Sequence, residues 1–164
     1  ITVADFAGLY IYDNTLFAIR ISGEQLKQYI EKSAEYYLPC TGGQCERIVN
    51  PEVPGYNFDV VSGVDYALDL SQPVGSRVVR LERNGRAVAA TDSFTIALNN
   101  YRASGAGGFS MLANAPIVYN RGEEIRQLLI DEIRARGGFD AGRYFQQNWE
   151  VIPPALAQKA LGEQ

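Results

Sequence analysis

The sequence contains no histidine among its 164 residues. That removes a Ser–His nucleophile pair, an imidazole general base and an imidazole metal ligand. Cysteine is scarce too, with only Cys40 and Cys45. Two thiolates and no imidazole leave at least two zinc ligands to be found among carboxylates, which argues against a zinc site. The pair reads as a local disulfide pinning a loop, a feature of exported proteins, with two free thiols as the alternative. No apolar run approaches the roughly 18–20 residues of a membrane span. No basic segment followed by an apolar stretch opens the chain, so no signal peptide is visible. Positive charge is in deficit, 15 Lys+Arg against 19 Asp+Glu, for a net charge of −4. A nucleic-acid polyanion needs a basic face and is disfavoured as a partner. A small nucleotide needs only one or two positive groups and stays open.

What is present suits one folded domain: 46% apolar and 21% charged residues, with enough chain to bury a core. Because the chain opens directly on a helix-like pattern, it is expected to be an excised domain or a mature fragment. Thr2-Val3-Ala4-Asp5 resembles a capping box, and a short helix is expected to about Gly8. Tyr12-Asp13-Asn14 is turn chemistry, and residues 15–21 are β-branched and aromatic enough for a strand. Leu26, Tyr29, Ile30, Ser33, Ala34 and Tyr37 then recur at helical spacing until Pro39. Residues 39–57 have no period and read as a long loop, which is uncommon in a compact domain and often functional.

Val64, Tyr66, Leu68 and Leu70 alternate with Asp65, Ala67 and Asp69, predicting a strand with one buried and one wet face. A second strand is expected at 77–83. Asn84-Gly85 predicts a type I′ hairpin leading into a partner at 86–90. Further strands are expected at 94–98, 116–119 and 149–152. Ile125, Leu128, Leu129 and Ile133 predict a helix over 122–136, stopped by Gly137-Gly138. The segment after Pro153-Pro154 reads as a flexible tail, giving one domain over 1–152 and a tail over 153–164. Mixed elements without βαβ alternation predict an α+β fold, a mixed or mostly antiparallel sheet with flanking helices.

The chemistry legible in the residues is recognition more than catalysis. Asp65 with Asp69, and Asp131 with Glu132, read as solvated surface carboxylates, so no catalytic or metal residue is assigned. An all-carboxylate Mg²⁺ site would be chemically allowed, but no acidic cluster has the spacing. The loop 99–109 carries Gly105-Ala106-Gly107-Gly108 but neither the Gly-Lys-Ser/Thr end of a P-loop nor a clean dinucleotide fingerprint. Its glycines instead leave room for a planar ligand. Phe109 closes this loop and Phe58 closes the 39–57 loop. Two such rings could clamp a nucleobase, stacking being worth about 1–3 kcal/mol per base. Inward packing of either ring is the structural alternative.

Several phrases occur together and in order: residues 10–16 (YIYDNTL), 21–26 (ISGEQL), 56–64 (YNFDVVSGV) with 69–71 (DLS), and 99–109 (NNYRASGAGGF). This set resembles the C-terminal domain of the 5′-nucleotidase family, and most the bacterial 2′,3′-cyclic-nucleotide 2′-phosphodiesterase/3′-nucleotidase branch. The resemblance implies a parent chain with an N-terminal metallophosphoesterase domain that holds two divalent metals and performs the hydrolysis. This chain would have no cofactor of its own and would recognise a nucleotide or nucleoside. On that resemblance Phe58 and Phe109 match the base-stacking rings, with Tyr56 as an alternative first ring. Asn14 falls in the turn that approaches the base. Asn114 sits where relatives often carry an acid contacting the ribose. Arg20 or Arg102 would reach a phosphate. A periplasmic, secreted or cell-surface location goes with this reading. The rival is a stand-alone nucleoside-binding or cell-surface module without hydrolase activity.

Overall fold

The computed structural model describes Gly8, residues 10–40, Cys45 and residues 47–162. The expected helix over 2–8 lies outside the described residues except for Gly8. The chain divides into two compact units, one of Ile1–Ile21 with Ser93–Phe145 and one of Ser22–Asp92 with Gln146–Gln164. The α+β class holds, but the expected single sheet is two, one of three strands and one of four.

In the first unit, β1 (Thr15–Ser22) is the central strand between β5 (Ser93–Asn99) and β6 (Ile117–Glu124). Ile19 and Ile21 of β1 are buried while Arg20 between them is exposed, the period of a strand with one covered face. Strands β1 and β6 run antiparallel, with Phe17 opposite Asn120 and Thr15 opposite Glu124. That pairing holds residues 122–124 in the strand. The following helix, which follows the short helix α2 (Asn100–Ala103), therefore begins at Ile125 and not at Gly122. Its first free N–H, that of Ile125, donates to the Asn14 carbonyl at 3.0 Å. This helix, α3 (Ile125–Arg136), buries Ile130 and leaves Leu129 exposed, so its inward face is turned one residue from the expected stripe. Gly137 ends it at φ +70°, with its own N–H and that of Gly138 closing the last turn onto Arg134 and Ile133. The short helix α4 (Ala141–Tyr144) follows.

In the second unit, α1 (Gly23–Ser33) opens on a full capping box. The Ser22 hydroxyl accepts from Gln25 N–H, and the Gln25 side chain accepts from Ser22 N–H. A Cβ at Gly23 would stand 2.0 Å from the Ala89 carbonyl oxygen, so the close approach there requires glycine. Leu26, Tyr29, Ile30 and Ser33 are buried, as the period predicts. Strand β3 (Val78–Arg83) runs antiparallel to β2 (Asp65–Asp69), and β7 (Trp149–Ile152) runs parallel to it, making this sheet mixed. Val64, Tyr66, Leu68 and Leu70 are buried and Asp65 is exposed, as the alternation predicts, but Ala67 is buried as well. The Asn84-Gly85 turn has φ +53° and +73°, the geometry of the expected hairpin. Its second arm β4 (Arg86–Ala87) is only two residues long.

Two sequence expectations are corrected here. Residues 154–162 are not a loose tail: α5 (Pro154–Gly162) is helical and buries Leu156 and Ala160, following β7. Its small residues are helix formers with an apolar face, which compositional reasoning read as loose chain. The 39–57 segment is not structureless. Cys40 and Cys45 are joined by a disulfide, Tyr37 bridges Val49, and Gly55–Asn57 form a 3₁₀ turn.

Candidate functional site

The residues singled out by sequence fall in both units. Asn14, Arg20, Arg102, Phe109 and Asn114 belong to the first, Tyr56 and Phe58 to the second.

In the first unit the loop after β5 is built by local capping. The Asn99 side chain accepts from Arg102 N–H at 2.7 Å and starts α2. Asn100 Oδ1 accepts from the backbone N–H of Thr15 at 3.0 Å, tying the loop to the start of β1. Beyond α2, Gly105, Gly107 and Gly108 all have positive φ, between 72° and 87°, which explains the glycine content without a phosphate cradle. Arg102 is 4% exposed. One of its guanidinium nitrogens donates to the Ala106 carbonyl at 2.9 Å, and the group lies 3.8 Å from the Phe109 ring centroid. A cation against an aromatic face at that distance gains about 0.5–2 kcal/mol, more where water is excluded. Phe109 is fully buried, so the ring is not presented at the loop surface.

Asn14 is half-buried. Its amide donates to the Tyr10 hydroxyl at 3.3 Å, and its carbonyl receives α3. Asn114 and Arg20 are exposed. The exposed rings of this unit that adjoin predicted residues are Tyr12, two positions before Asn14, and Tyr101, beside Arg102. Sequence reasoning passed over Tyr12 as turn chemistry. The signal that could have found it is an aromatic placed at a turn with no partner in the strand pattern.

In the second unit Phe58 is half-buried within an aromatic cluster. It stacks on Tyr36 at 5.1 Å and meets Tyr37 and Trp149 edge-on at 5.3 and 5.7 Å. Tyr56 is 60% exposed. Next to Phe58, Asp59 accepts from the Tyr29 hydroxyl at 2.5 Å, and its backbone is held from both sides by Ser33.

Sequence reasoning also missed the most buried polar device in the molecule. Arg77 is 0% exposed and donates to the carbonyls of Ala34 and Tyr37, both at 2.6 Å. The buried Glu31 carboxylate accepts the backbone N–H groups of Arg77 and Val78 at 2.9 and 2.8 Å. Burial pushes the Arg77 pKa down, and the Glu31 and Glu35 charges oppose that shift. In sequence, Arg77 looks like any other arginine at a strand edge.

Among the described residues no group of three or more Cys, Asp or Glu is placed to hold a metal ion. The two metals implied by the resemblance do not fit these side chains. No helix among the described residues is long and apolar enough to cross a membrane.

Comparison with known proteins adds the following. Residues 1–114 match the 5′-nucleotidase C-terminal domain family. The 2′,3′-cyclic-nucleotide 2′-phosphodiesterase/3′-nucleotidase of Haemophilus influenzae is 34% identical over 170 residues, covering 93% of this chain and 26% of the relative. The trifunctional nucleotide phosphoesterase protein YfkN of Bacillus subtilis is 31% identical over 168 residues, again 93% of this chain but 11% of the relative. A Staphylococcus aureus structure assigned as a 5′-nucleotidase, in complex with alpha-ketoglutarate, superposes with a TM-score of 0.79. It has 32% identity and covers 92% of this chain and 30% of that one. The chain thus spans about a quarter or less of the length of these curated relatives.

Proposed function

Since the chain belongs to the 5′-nucleotidase C-terminal domain family, we propose that it is the nucleotide-recognition part of a larger phosphoesterase. The parent protein hydrolyses nucleotide phosphate esters by attack of metal-activated water. Its metals and their ligands reside on an N-terminal metallophosphoesterase domain, outside this chain. The observation that carries this reading is the family match over residues 1–114, which includes the braced glycine loop. The histidine-free composition supports the division of labour, because the hydrolytic machinery needs ligands this chain does not have. The disulfide supports an exported location, periplasmic, secreted or at the cell surface.

Phe109 in the first unit and Phe58 in the second are each proposed as a ring that stacks on a base, with Tyr56 as a further candidate. Asn14 and Asn114 are the proposed polar contacts, and Arg102 the proposed phosphate contact. The burial of Phe109 and its contact with Arg102 add a condition: the 99–109 loop has to open for a base to reach that ring. Tyr12 and Tyr101 are exposed rings of the same unit that adjoin the predicted residues, and they belong in the same test.

Calorimetric titration of AMP, adenosine and a 2′,3′-cyclic nucleotide into the chain, with Phe58→Ala, Phe109→Ala and Tyr12→Ala, checks the reading. Loss of one stacking ring should weaken binding by about tenfold or more. Binding unchanged in all three variants would falsify the aromatic part of the proposal. Phosphate release by the full-length parent, present with divalent metal and absent without it, checks the catalytic part.

A further inference from the structure

The segment after α3 forms a concave site that shares no residue with those discussed so far. A cavity of about 310 Å³ is lined by Arg136, Phe139, Asp140, Arg143 and Tyr144 around the Gly137-Gly138 backbone. That volume is at the lower end of what small-molecule pockets occupy. All of its residues lie in the first unit.

Its chemistry is not that of a plain loop. The Phe139 and Tyr144 rings are parallel, 1° apart in plane and 5.5 Å between centroids, and each is 47% exposed. A stacked pair held half in solvent offers a flat apolar face. Arg136 stands 5.9 Å from the Tyr144 ring and is already paired with Glu132. Asp140 is used locally, accepting the Gly142 N–H at 3.1 Å to start α4. Arg143 is different: its guanidinium has neither an ion pair nor a hydrogen bond among the described residues, and it lines the cavity. The site therefore combines a flat aromatic surface with one uncommitted cation.

The geometry points to a binding site for a small planar anion, an aromatic ring carrying one phosphate or one carboxylate. The ring packs on the Phe139–Tyr144 platform, and the anionic group takes a forked pair of hydrogen bonds from Arg143. Nothing in this inference depends on the nucleotidase reading, because a non-nucleotide aromatic carboxylate meets the same requirements.

The test is site-resolved NMR on the ¹⁵N-labelled chain with three probes: AMP, 4-hydroxyphenylacetate and inorganic phosphate. The expected result is saturable shifts at the Gly137, Gly138 and Gly142 amides and at the Arg143 side chain. AMP, the aromatic carboxylate, or both should produce them, and which one does identifies the source of the anion. Arg143→Gln, at an exposed position, should weaken that binding by about tenfold or more, the loss typical of a charge-assisted pair. Phe139→Leu keeps the site apolar but removes the flat face, and should weaken it severalfold. The inference is overturned if no probe shifts these amides at millimolar concentration, if Arg143→Gln leaves affinity unchanged, or if inorganic phosphate binds as tightly as the aromatic probes. Shifts from AMP confined to residues around Arg102, with none from the aromatic carboxylate at Gly137, Gly138 and Gly142, would support the reading of the previous subsection and overturn this one.

Discussion

Each unit of this protein buries one arginine, and the two are used differently. Arg77 in the second unit is enclosed by carbonyls and by the Glu31 carboxylate that holds its own backbone. Arg102 in the first unit rests on an aromatic ring and holds one loop carbonyl. The difference extends to the units themselves. Buried apolar side chains concentrate in the second unit, on α1, β2 and α5. The first unit leaves Ile11, Tyr12, Ile117, Val118, Phe139 and Phe145 exposed. The second unit thus holds most of the buried apolar core, and the first carries most of the large exposed apolar side chains.

The strongest way to break this contrast is at Arg77. Arg77→Ala leaves the Ala34 and Tyr37 carbonyls without their buried donor and removes the positive charge near Glu31. Glu31→Ala leaves the Arg77 and Val78 N–H groups without their acceptor and removes a charge that offsets burial of the guanidinium. Each should cost about 3–5 kcal/mol in urea unfolding. If Arg102→Ala costs as much as Arg77→Ala, the division between a structural and a recognition arginine fails. Phe109→Ala should be the next largest loss, about 3 kcal/mol for a fully buried ring. Hydrogen exchange should show that loss as faster opening of residues 100–112. Replacing both cysteines with serine removes a short cross-link and should cost about 2 kcal/mol, read in the same urea titration with and without reductant.

A smaller effect is confined to acid. The Ser71 hydroxyl, more than any other group, holds the Asp69 carboxyl below its usual pKa, with the Ser71 N–H and Gln72 assisting. Because the folded-state value is lowered, its stabilising contribution is complete above the ordinary carboxylate pKa of about 3.9. It disappears as pH falls through the lowered value. Asp69→Asn should therefore flatten the stability profile below about pH 4 and leave its slope near neutrality unchanged. The smallest effect is expected at Tyr12. Tyr12→Ser, at a position 52% exposed, should change stability by no more than about 0.5 kcal/mol. A drop in nucleotide affinity with that change in hand would locate recognition in the first unit.

Much of the secondary structure was legible because its signals are local. The α1 stripe, the Asn84-Gly85 hairpin and the glycine stop of α3 each depend on residues within a turn or two of one another. The errors fall where a distant strand decides. The start of α3 moved to Ile125 because β6 pairs with β1 through Glu124. The helix α5 was misread because its apolar positions have meaning only once β7 is in place. The candidate site was legible as a set of phrases but not as surroundings. Phe58 and Phe109 were recognised by position, whereas the cluster around the first and the guanidinium against the second could not be read from spacing.

By itself the sequence determined the class of most elements, the family, and the absence of histidine chemistry in this chain, since these depend on residue identity and short-range period. Only the tertiary structure decided that the chain makes two sheets, that Arg77 and Glu31 share one enclosure, and that a cation and a stacked ring pair meet after α3. Those outcomes depend on which strands find each other and on where water is excluded, and neither is written in any local pattern.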